Sequence, residues 1–381
     1  MTVNAVDQVV TDRYAIYQGD ACELIRAVPG DSVHFGIHSP PFEGLYKFSN
    51  YDRDISNNDG SAFWEHYAFL ISDLFRVTRP GRIHSVHCMQ LPTSKTRHGF
   101  IGMRDFRGEL IRAYCGEDAE AMNEAIMALC ARRVRMELAG DTDGFHRLDD
   151  LIEKLKTERD DKAYATGQWI FHSEVCIWKD PVIAQQRTKS IRLLHKQITK
   201  DSTISGMGLA DYIVSFRKPG ENADPVAGMF ERWSGDESLD ISREAYERHR
   251  RQTEAEGRKA WPFEQWRSIL VWQRYASPVW MDINQTNTLQ YRAGRDEKDE
   301  QHISPLQLDV IERCLDLWSA PGETVLTPFL GIGSEVYSAV KLGRKGIGFE
   351  LKPSYFRQAV KNIAELDNAA TDSLFSMVGA A

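Results

Sequence analysis

No stretch of the 381-residue chain stays apolar for the ~18 residues that a membrane-spanning helix needs. The first residues, MTVNAVDQVVTDR, also lack the basic stretch and the apolar core of a secretory signal peptide. Charged residues make up 27% of the chain, an ordinary fraction for a protein in water. We therefore expect a cytoplasmic protein with no membrane partner.

Paired cysteines are absent as well. The six cysteines are scattered, and no two of them form a C-x-x-C pair. This spacing argues against a zinc site or a disulfide framework and suits a reducing compartment, so we expect no metal. Acidic residues outnumber basic residues, 55 to 47, so the formal net charge is −8. Any contact with nucleic acid would have to come from a local basic surface.

Short apolar strands alternate with helical patterns along most of the chain. Strands are predicted at Val33–Ile37 and Ile83–Cys88, and between them apolar side chains keep helical spacing from Phe63 to Val77. The same alternation returns after position 301. Strands separated by helices of this length predict an α/β fold, with a mostly parallel sheet and helices on both faces.

Two segments depart from that alternation. Residues 115–165 carry two amphipathic stripes amid dense charge, which predicts a helical hairpin inserted into the α/β domain. Residues 219–300 are irregular, charged and rich in tryptophan. Tryptophans of this kind belong to a hydrophobic core more often than they contact bases.

The stretch TPFLGIGSE, residues 327–335, connects a predicted strand to a predicted helix. Gly331 and Gly333 would let the backbone turn tightly and let a ligand approach it closely. Glu350 ends the next predicted strand, where a carboxylate can accept hydrogen bonds from both hydroxyls of a ribose. Val336 stands where a third glycine would favour a pyrophosphate. The pattern predicts a site for a nucleoside-containing cofactor, although a tight strand–helix turn alone would also account for the glycines.

The stretch HSPPF, residues 38–42, ends another predicted strand. Two prolines fix the backbone and donate no hydrogen bond, so the Pro40 carbonyl is held in one direction. Because ligands of open α/β sheets bind at the carboxyl ends of strands, Ser39 and Phe42 would stand at a binding edge. A rigid turn with Phe42 buried in the core is the alternative.

Taken together, the two stretches resemble the DNA amino-methyltransferases, which methylate an exocyclic base nitrogen with S-adenosylmethionine. The catalytic signature of that family, (D/N/S)-P-P-(Y/F), is matched by Ser39, Pro40, Pro41 and Phe42. The resemblance implies that the hydroxyl and the Pro40 carbonyl accept hydrogen bonds from the target amine. It also implies that the Phe42 ring stacks on a base that has left the duplex.

The family's cofactor signature, D-P-F-x-G-x-G, is matched from Pro328 to Gly333, with Thr327 in place of the usual aspartate. The resemblance therefore implies S-adenosylmethionine as the cofactor. The residues that it places at the cofactor are Asp20, His38, Ser304, Thr327, Pro328, Phe329, Gly331, Gly333 and Glu350.

The order of the motifs, with the catalytic motif first, is similar to that of the β class of this family. This order implies six segments, which we list in chain order. They are a first catalytic part (1–114), the helical insertion (115–165), a second catalytic part (166–218), a variable target-recognition region (219–300), a cofactor-binding part (301–370) and a flexible tail (371–381).

A basic segment without acids lies between Ile183 and Lys200. It suits phosphate contacts with double-stranded DNA, and a solvated helix face is the alternative. The predicted DNA-binding residues are Arg187, Lys189, Arg192, Lys196 and Lys200.

Serine in the first position of the catalytic signature resembles the cytosine-N4 members more than the adenine-N6 members, so cytosine is favoured. Partners implied by the resemblance are DNA, a second copy of the chain and a cognate restriction endonuclease. Two alternatives remain open. Thr327 suggests a catalytically inactive DNA-binding relative, and the G-x-G with its acid suggests a nicotinamide-dependent oxidoreductase.

Overall fold

The computed structural model describes residues 5–42, 61–93, 95–116, 119–138, 142–165, 169–188, 190–290 and 305–378. Its strands are β1 (Asp7–Val10), β2 (Tyr14–Gln18), β3 (Val33–His38), β4 (Thr78–Met89), β5 (Leu91–Pro92), β6 (Met103–Arg104), β7 (Ile170–Ile177), β8 (Asp211–Arg217), β9 (Val279–Trp280), β10 (Thr324–Thr327) and β11 (Lys345–Glu350).

Helices of very different length connect these strands. They are α1 (Ala21–Leu24), α2 (Ser61–Val77), α3 (Lys95–His98), α4 (Phe106–Cys115), α5 (Ala119–Leu138), α6 (Thr142–Ala165), α7 (Pro181–Thr188), α8 (Lys196–Lys200), α9 (Arg243–Ala255), α10 (Phe263–Tyr275), α11 (Leu308–Trp318), α12 (Ser334–Lys341) and α13 (Pro353–Val378). Within the described ranges, none of them combines the length and apolar character needed to cross a membrane.

Nine strands form one sheet in the order β1-β2-β11-β10-β3-β4-β8-β7-β9, while β5 and β6 form a separate pair. The central strands β2, β11, β10, β3 and β4 are parallel, and β8 runs antiparallel to β4. The chain runs from β3 through α2 to β4, which lies on one side of β3. It runs from β10 through α12 to β11, which lies on the opposite side of the pair formed by β3 and β10. The strand order therefore reverses between β10 and β3, the place where open α/β sheets bind ligands.

Apolar side chains cover both faces of the sheet. Val325 and Leu326 are successive residues of β10, and they belong to different buried clusters. Successive side chains of a strand point to opposite faces, so the two clusters lie on opposite sides of the sheet. Helix α2 packs on one side through Phe63 and Leu70, and α11 packs on the other through Ile311. The predicted α/β class is confirmed.

Strand β7 contains a bulge between Phe171 and Ser173, which disturbs the alternation of its apolar residues. One sequence expectation about local structure is wrong. The region 219–300 is not wholly irregular, since it contains α9 and α10. Helix α9 is dominated by charge and shows little apolar periodicity. It is supported by its Ser242 cap and by ion pairs from Arg250 to neighbouring glutamates.

Helices α5 and α6 lie within the segment where a hairpin was expected, and they pack against each other through buried residues that include Ile126 and Leu148. An ion pair between Arg133 and Asp149 also joins them. The division of the whole chain into six segments stays a prediction.

Candidate active site

The carboxyl ends of the parallel strands bring together segments that are far apart in the sequence. Strand β10 pairs with β3 on one side and with β11 on the other. The TPFLGIGSE loop, the HSPPF stretch and Glu350 therefore leave the sheet at one edge. The residues after β2, Gly19 and Asp20, join them there because β2 pairs in parallel with β11.

The glycine loop turns sharply between β10 and α12. Gly331 and Gly333 have φ angles of +54° and +96°, in the left-handed region that favours glycine. A Cβ at Gly333 would lie 3.2 Å from Ala359, so close packing also favours glycine there. A Cβ at Gly331 would meet no atom within 4 Å, and this position is half-exposed. The space beside Gly331 is therefore open to a ligand.

Glu350 holds the glycine loop. One carboxylate oxygen accepts a hydrogen bond from the Gly331 N–H at 2.8 Å, and the other accepts from the Lys352 N–H at 2.8 Å. Its main-chain carbonyl also accepts from the Gly19 N–H at 2.9 Å. A carboxylate can accept hydrogen bonds from hydroxyls as well as from N–H groups. Glu350 is half-buried, and its side chain and main chain together link three segments of the edge.

The other predicted cofactor residues differ in how accessible they are. Asp20 is half-buried and caps α1, where its carboxylate accepts from the Cys22 N–H at 2.9 Å. Phe329 is half-buried at the edge, whereas Thr327 and Pro328 are buried beneath it. Ser304 lies outside the described residues.

Helix α12 begins directly after the glycine loop with the buried residues Ser334 and Glu335. Burial raises the pKa of the Glu335 carboxyl to about 8. A group with this pKa is mostly protonated at neutral pH, so the loop gains little negative charge from Glu335.

His38 lies in the core, although the sequence placed it among the cofactor residues. Its Nε2 is 2.7 Å from the Tyr67 hydroxyl, and its Nδ1 is 2.9 Å from Nε2 of His84. The His84 ring fits because residue 36 is glycine, whose missing Cβ would lie 1.8 Å from His84 Nδ1. Burial holds the pKa of His38 well below its usual range. Both ring nitrogens are therefore engaged, and a cofactor contact at this position would have to use the main chain.

Ser39 begins a buried hydrogen-bonded chain. Its Oγ is 2.9 Å from Nδ1 of His87, and Nε2 of His87 is 2.9 Å from a carboxylate oxygen of Asp211. The same carboxylate forms an ion pair with Lys179. Burial alone would raise the pKa of Asp211, but the Lys179 ammonium and the hydrogen bonds from His87 and Lys179 outweigh it and lower the pKa to about 2. Asp211 is therefore ionised at neutral pH.

Sequence reasoning missed His87 and Asp211. His87 lies near the end of β4 and Asp211 begins β8, and both strands are neighbours at the same edge. The pairing of His38 with Val86 places the following residues, Ser39 and His87, side by side. A histidine within a predicted buried strand was the available signal, but it could not identify its partners.

Phe42 lies partly in the core and partly at the edge. Its ring meets those of His87 and Phe106 edge to face, at centroid distances of 6.1 and 6.0 Å. Pro40 and Pro41 are buried, while Phe42 remains half-buried. This arrangement is thus compatible with both interpretations of Phe42, as a core residue and as a stacking surface.

The basic segment lies in the connection between β7 and β8, ahead of Asp211, which is the first residue of β8. Lys196 and Lys200 are exposed on α8, and Arg192 is half-buried before it. Apolar residues lie exposed among them, including Ile191 at 50% and Ile198 at 55%. Nothing is described for the Arg187 side chain or for Lys189. The segment is therefore more than a charged helix face, because it presents apolar and basic side chains together.

Comparisons with known proteins agree with this geometry. The model of a DNA methylase family acting at N6 or N4 matches residues 33–361. The type II methyltransferase M1.MboII of Moraxella bovis is 41% identical over 58 residues, which are 15% of this chain and 22% of that protein. M.MjaI of Methanocaldococcus jannaschii is 31% identical over 81 residues, which are 21% of this chain and 24% of that protein. The chain thus spans about a quarter or less of the curated relatives that it matches.

Among solved structures, the cytosine-N4-specific PvuII DNA methyltransferase has a similar fold, with a TM-score of 0.50. The alignment covers 94% of this chain and 89% of that one at 13% identity. At this identity the likeness concerns the fold alone.

Proposed function

The chain belongs to the N6/N4 DNA methylase family, and from that membership we propose that it transfers a methyl group from S-adenosylmethionine to an exocyclic amino nitrogen of a base in double-stranded DNA. One observation carries the proposal. The Ser39-Pro40-Pro41-Phe42 stretch and the glycine loop leave neighbouring strands at the point where the strand order reverses. A base amine held by the first would lie beside a cofactor held by the second.

The residues of the edge fit S-adenosylmethionine. The Glu350 carboxylate is of a type that accepts hydrogen bonds from ribose hydroxyls, and the space beside Gly331 admits a ligand close to the backbone. Asp20 and Phe329, both half-buried, would contribute to the walls of the site. When bound, this cofactor supplies an electrophilic methyl group, and no metal is needed for the transfer.

Ser39 and Pro40 would make the target amine nucleophilic. The lone pair of an exocyclic amine is delocalised into the ring of the base, so the amine attacks poorly. Acceptors that bind its two hydrogens localise the lone pair on nitrogen as the transition state forms. The base must leave the duplex to reach them, which costs a few kcal/mol. Stacking on the Phe42 ring would offset part of that cost.

The basic segment between Ile183 and Lys200 would hold the DNA. Its exposed lysines suit phosphates, and it belongs to the connection between β7 and β8, which leaves the sheet at the end where Asp211 lies. A duplex bound there would lie near the edge at which its base must arrive.

We propose cytosine N4 as the target atom, because serine stands in the first position of the catalytic signature. The type II methyltransferases among the relatives support a place in a restriction–modification pair, and a homodimer is the expected assembly.

Incubating DNA with the protein and methyl-labelled S-adenosylmethionine, then analysing nucleosides by mass spectrometry, tests the function. We expect N4-methylcytosine. N6-methyladenine would overturn the choice of base. Binding of DNA and cofactor without transfer would identify an inactive relative, the alternative that Thr327 favours. Binding of NAD in place of S-adenosylmethionine, measured side by side by calorimetry, would overturn the family's chemistry for this chain.

A further inference from the structure

We infer that His87 and Asp211 are positioning residues that turn Ser39 into a hydrogen-bond acceptor and carry away the proton that the target amine must lose. The inference rests on the proposed methyl transfer and adds two residues to it. Ser39 and His87 are 48 positions apart in the sequence, and His87 and Asp211 are 124 apart. Only the pairing of β3, β4 and β8 brings these three residues into one chain of hydrogen bonds.

The hydrogen-bond partners determine where each proton lies. A carboxylate can only accept, so the contact from Asp211 requires a hydrogen on Nε2 of His87. In the neutral ring Nδ1 then carries a lone pair, and the Ser39 hydroxyl must donate to it. The lone pairs of Ser39 Oγ are consequently free to accept a hydrogen from the amine. Without this chain the hydroxyl could rotate and present its hydrogen to the amine, which would oppose catalysis.

The proton balance of the reaction gives His87 and Asp211 a second role. The amine lone pair forms the new nitrogen–carbon bond while the sulfur–methyl bond breaks and leaves its electrons on sulfur. The nitrogen becomes cationic and releases one proton to Ser39 Oγ, as the Ser39 hydroxyl proton passes to His87 Nδ1. The imidazolium is then held by Asp211, and its proton returns to water through the half-exposed Ser39.

The charges around the ring suit such a transient state. Among the described groups, Lys179 and Asp211 form an ion pair, which leaves the site neutral before transfer and positive by one charge after it. Burial and, after it, the Asp211 charge raise the pKa of Cys176 and of Cys88 on the adjoining strands, so both thiols stay protonated. Phe42 packs against His87 without adding charge. A buried carboxylate, imidazole and ammonium are costly to desolvate, and apolar residues would serve the fold alone as well.

We call the hydrogen-bonded chain of Ser39, His87 and Asp211 the relay, and the variants His87→Asn and Asp211→Asn test it. At position 87, asparagine can offer its carbonyl oxygen to Ser39 in place of Nδ1 but cannot take up a proton. At position 211, asparagine removes the negative charge that sets the tautomer of His87. We expect single-turnover methylation to slow by roughly 10²-fold in both variants. Affinities for DNA and S-adenosylmethionine should stay at the parent values.

His172→Asn is the matched control, because His172 is also hydrogen-bonded to a serine, Ser173, at 2.9 Å but lies outside the site. It should keep the parent rate. An active parent protein whose His87→Asn and Asp211→Asn variants keep the parental rate would overturn the relay alone. A parent that transfers no methyl group would overturn the proposed function and the relay with it. Should both variants unfold, a Ser39→Ala variant that keeps the parental rate would still overturn the relay.

Discussion

At the scale of single residues, Phe42 has a divided environment. Its ring contacts Phe106 in the core and His87 in the proposed relay, and the residue is only partly buried. A buried aromatic ring is constrained mainly by volume, whereas a stacking ring is constrained by its flat face. The two roles can therefore be separated by substitution.

We expect Phe42→Trp to retain methyl transfer and Phe42→Leu to lose most of it, because only tryptophan keeps a face on which a base can stack. Methylation rate and thermal stability should be measured on both variants. The fully buried Phe106 is the control, and there leucine should be tolerated better than tryptophan. An active Phe42→Leu beside an unfolded Phe42→Trp would show that Phe42 is a core residue.

Glu350 is the residue that we expect to hold the cofactor ribose. Replacing it by alanine should weaken S-adenosylmethionine binding by about 1.5–3 kcal/mol, the value of hydrogen bonds to a charged group. Part of that loss would come from the Gly331 N–H, which loses its acceptor. Calorimetry on Glu350→Ala and on the exposed Glu65→Ala measures the difference. Equal affinities in the two folded variants would contradict the assignment.

At the scale of elements, the basic segment makes the clearest prediction about DNA. Neutralising Arg192, Lys196 and Lys200 with glutamine should weaken binding to every sequence and flatten its salt dependence by about 0.9 per lost phosphate contact. The exposed Lys154 on α6 provides a control, since its replacement by glutamine should leave the slope unchanged. A triple variant with the parent slope would indicate a solvated surface.

Helices α5 and α6 should be dispensable for the catalytic sheet. Each of these helices packs mainly against the other, with a smaller contact between α6 and α2, whereas Tyr114 and Trp169, which flank them, belong to the core. Replacing residues 117–167 with a Gly-Ser linker should therefore leave cooperative unfolding and cofactor binding intact. Urea unfolding and calorimetry provide the two measurements. Loss of cooperative unfolding would show that the sheet depends on the hairpin.

At the scale of the whole molecule, buried titratable groups set the pH of maximum stability. Burial lowers the pKa of His84 to about 3 and that of His38 well below its usual range, so below about pH 6.5 the unfolded state binds more protons. Burial raises the pKa of Glu335 to about 8, so above its usual value the folded state holds a proton that the unfolded state releases. The free energy of unfolding should fall on either side of about pH 6.5.

Each titrating group contributes up to about 1.4 kcal/mol per pH unit to these slopes. Urea unfolding as a function of pH measures them. Between about pH 6.5 and 8, Glu335→Gln should remove the alkaline slope, and the exposed Glu365→Gln should leave it unchanged. An alkaline slope that persists in Glu335→Gln would mean that another group is responsible.

The sequence by itself determined the elements and the chemistry that each segment carries. Alternation of apolar residues identified β3 and β4, and helical spacing identified α2, because these periods follow from local backbone geometry. The rigid Ser39-Pro40-Pro41-Phe42 stretch and the two loop glycines were recognisable for the same reason. Their residue types restrict the backbone wherever they occur.

Only the tertiary structure decided which side chains meet. His38, expected at the cofactor, is held in the core by Tyr67 and His84. Ser39 meets His87, and His87 in turn meets Asp211 on a third strand. Contacts of this kind depend on strand order and register, which arise from packing over the whole sheet and leave no periodic trace in the local sequence.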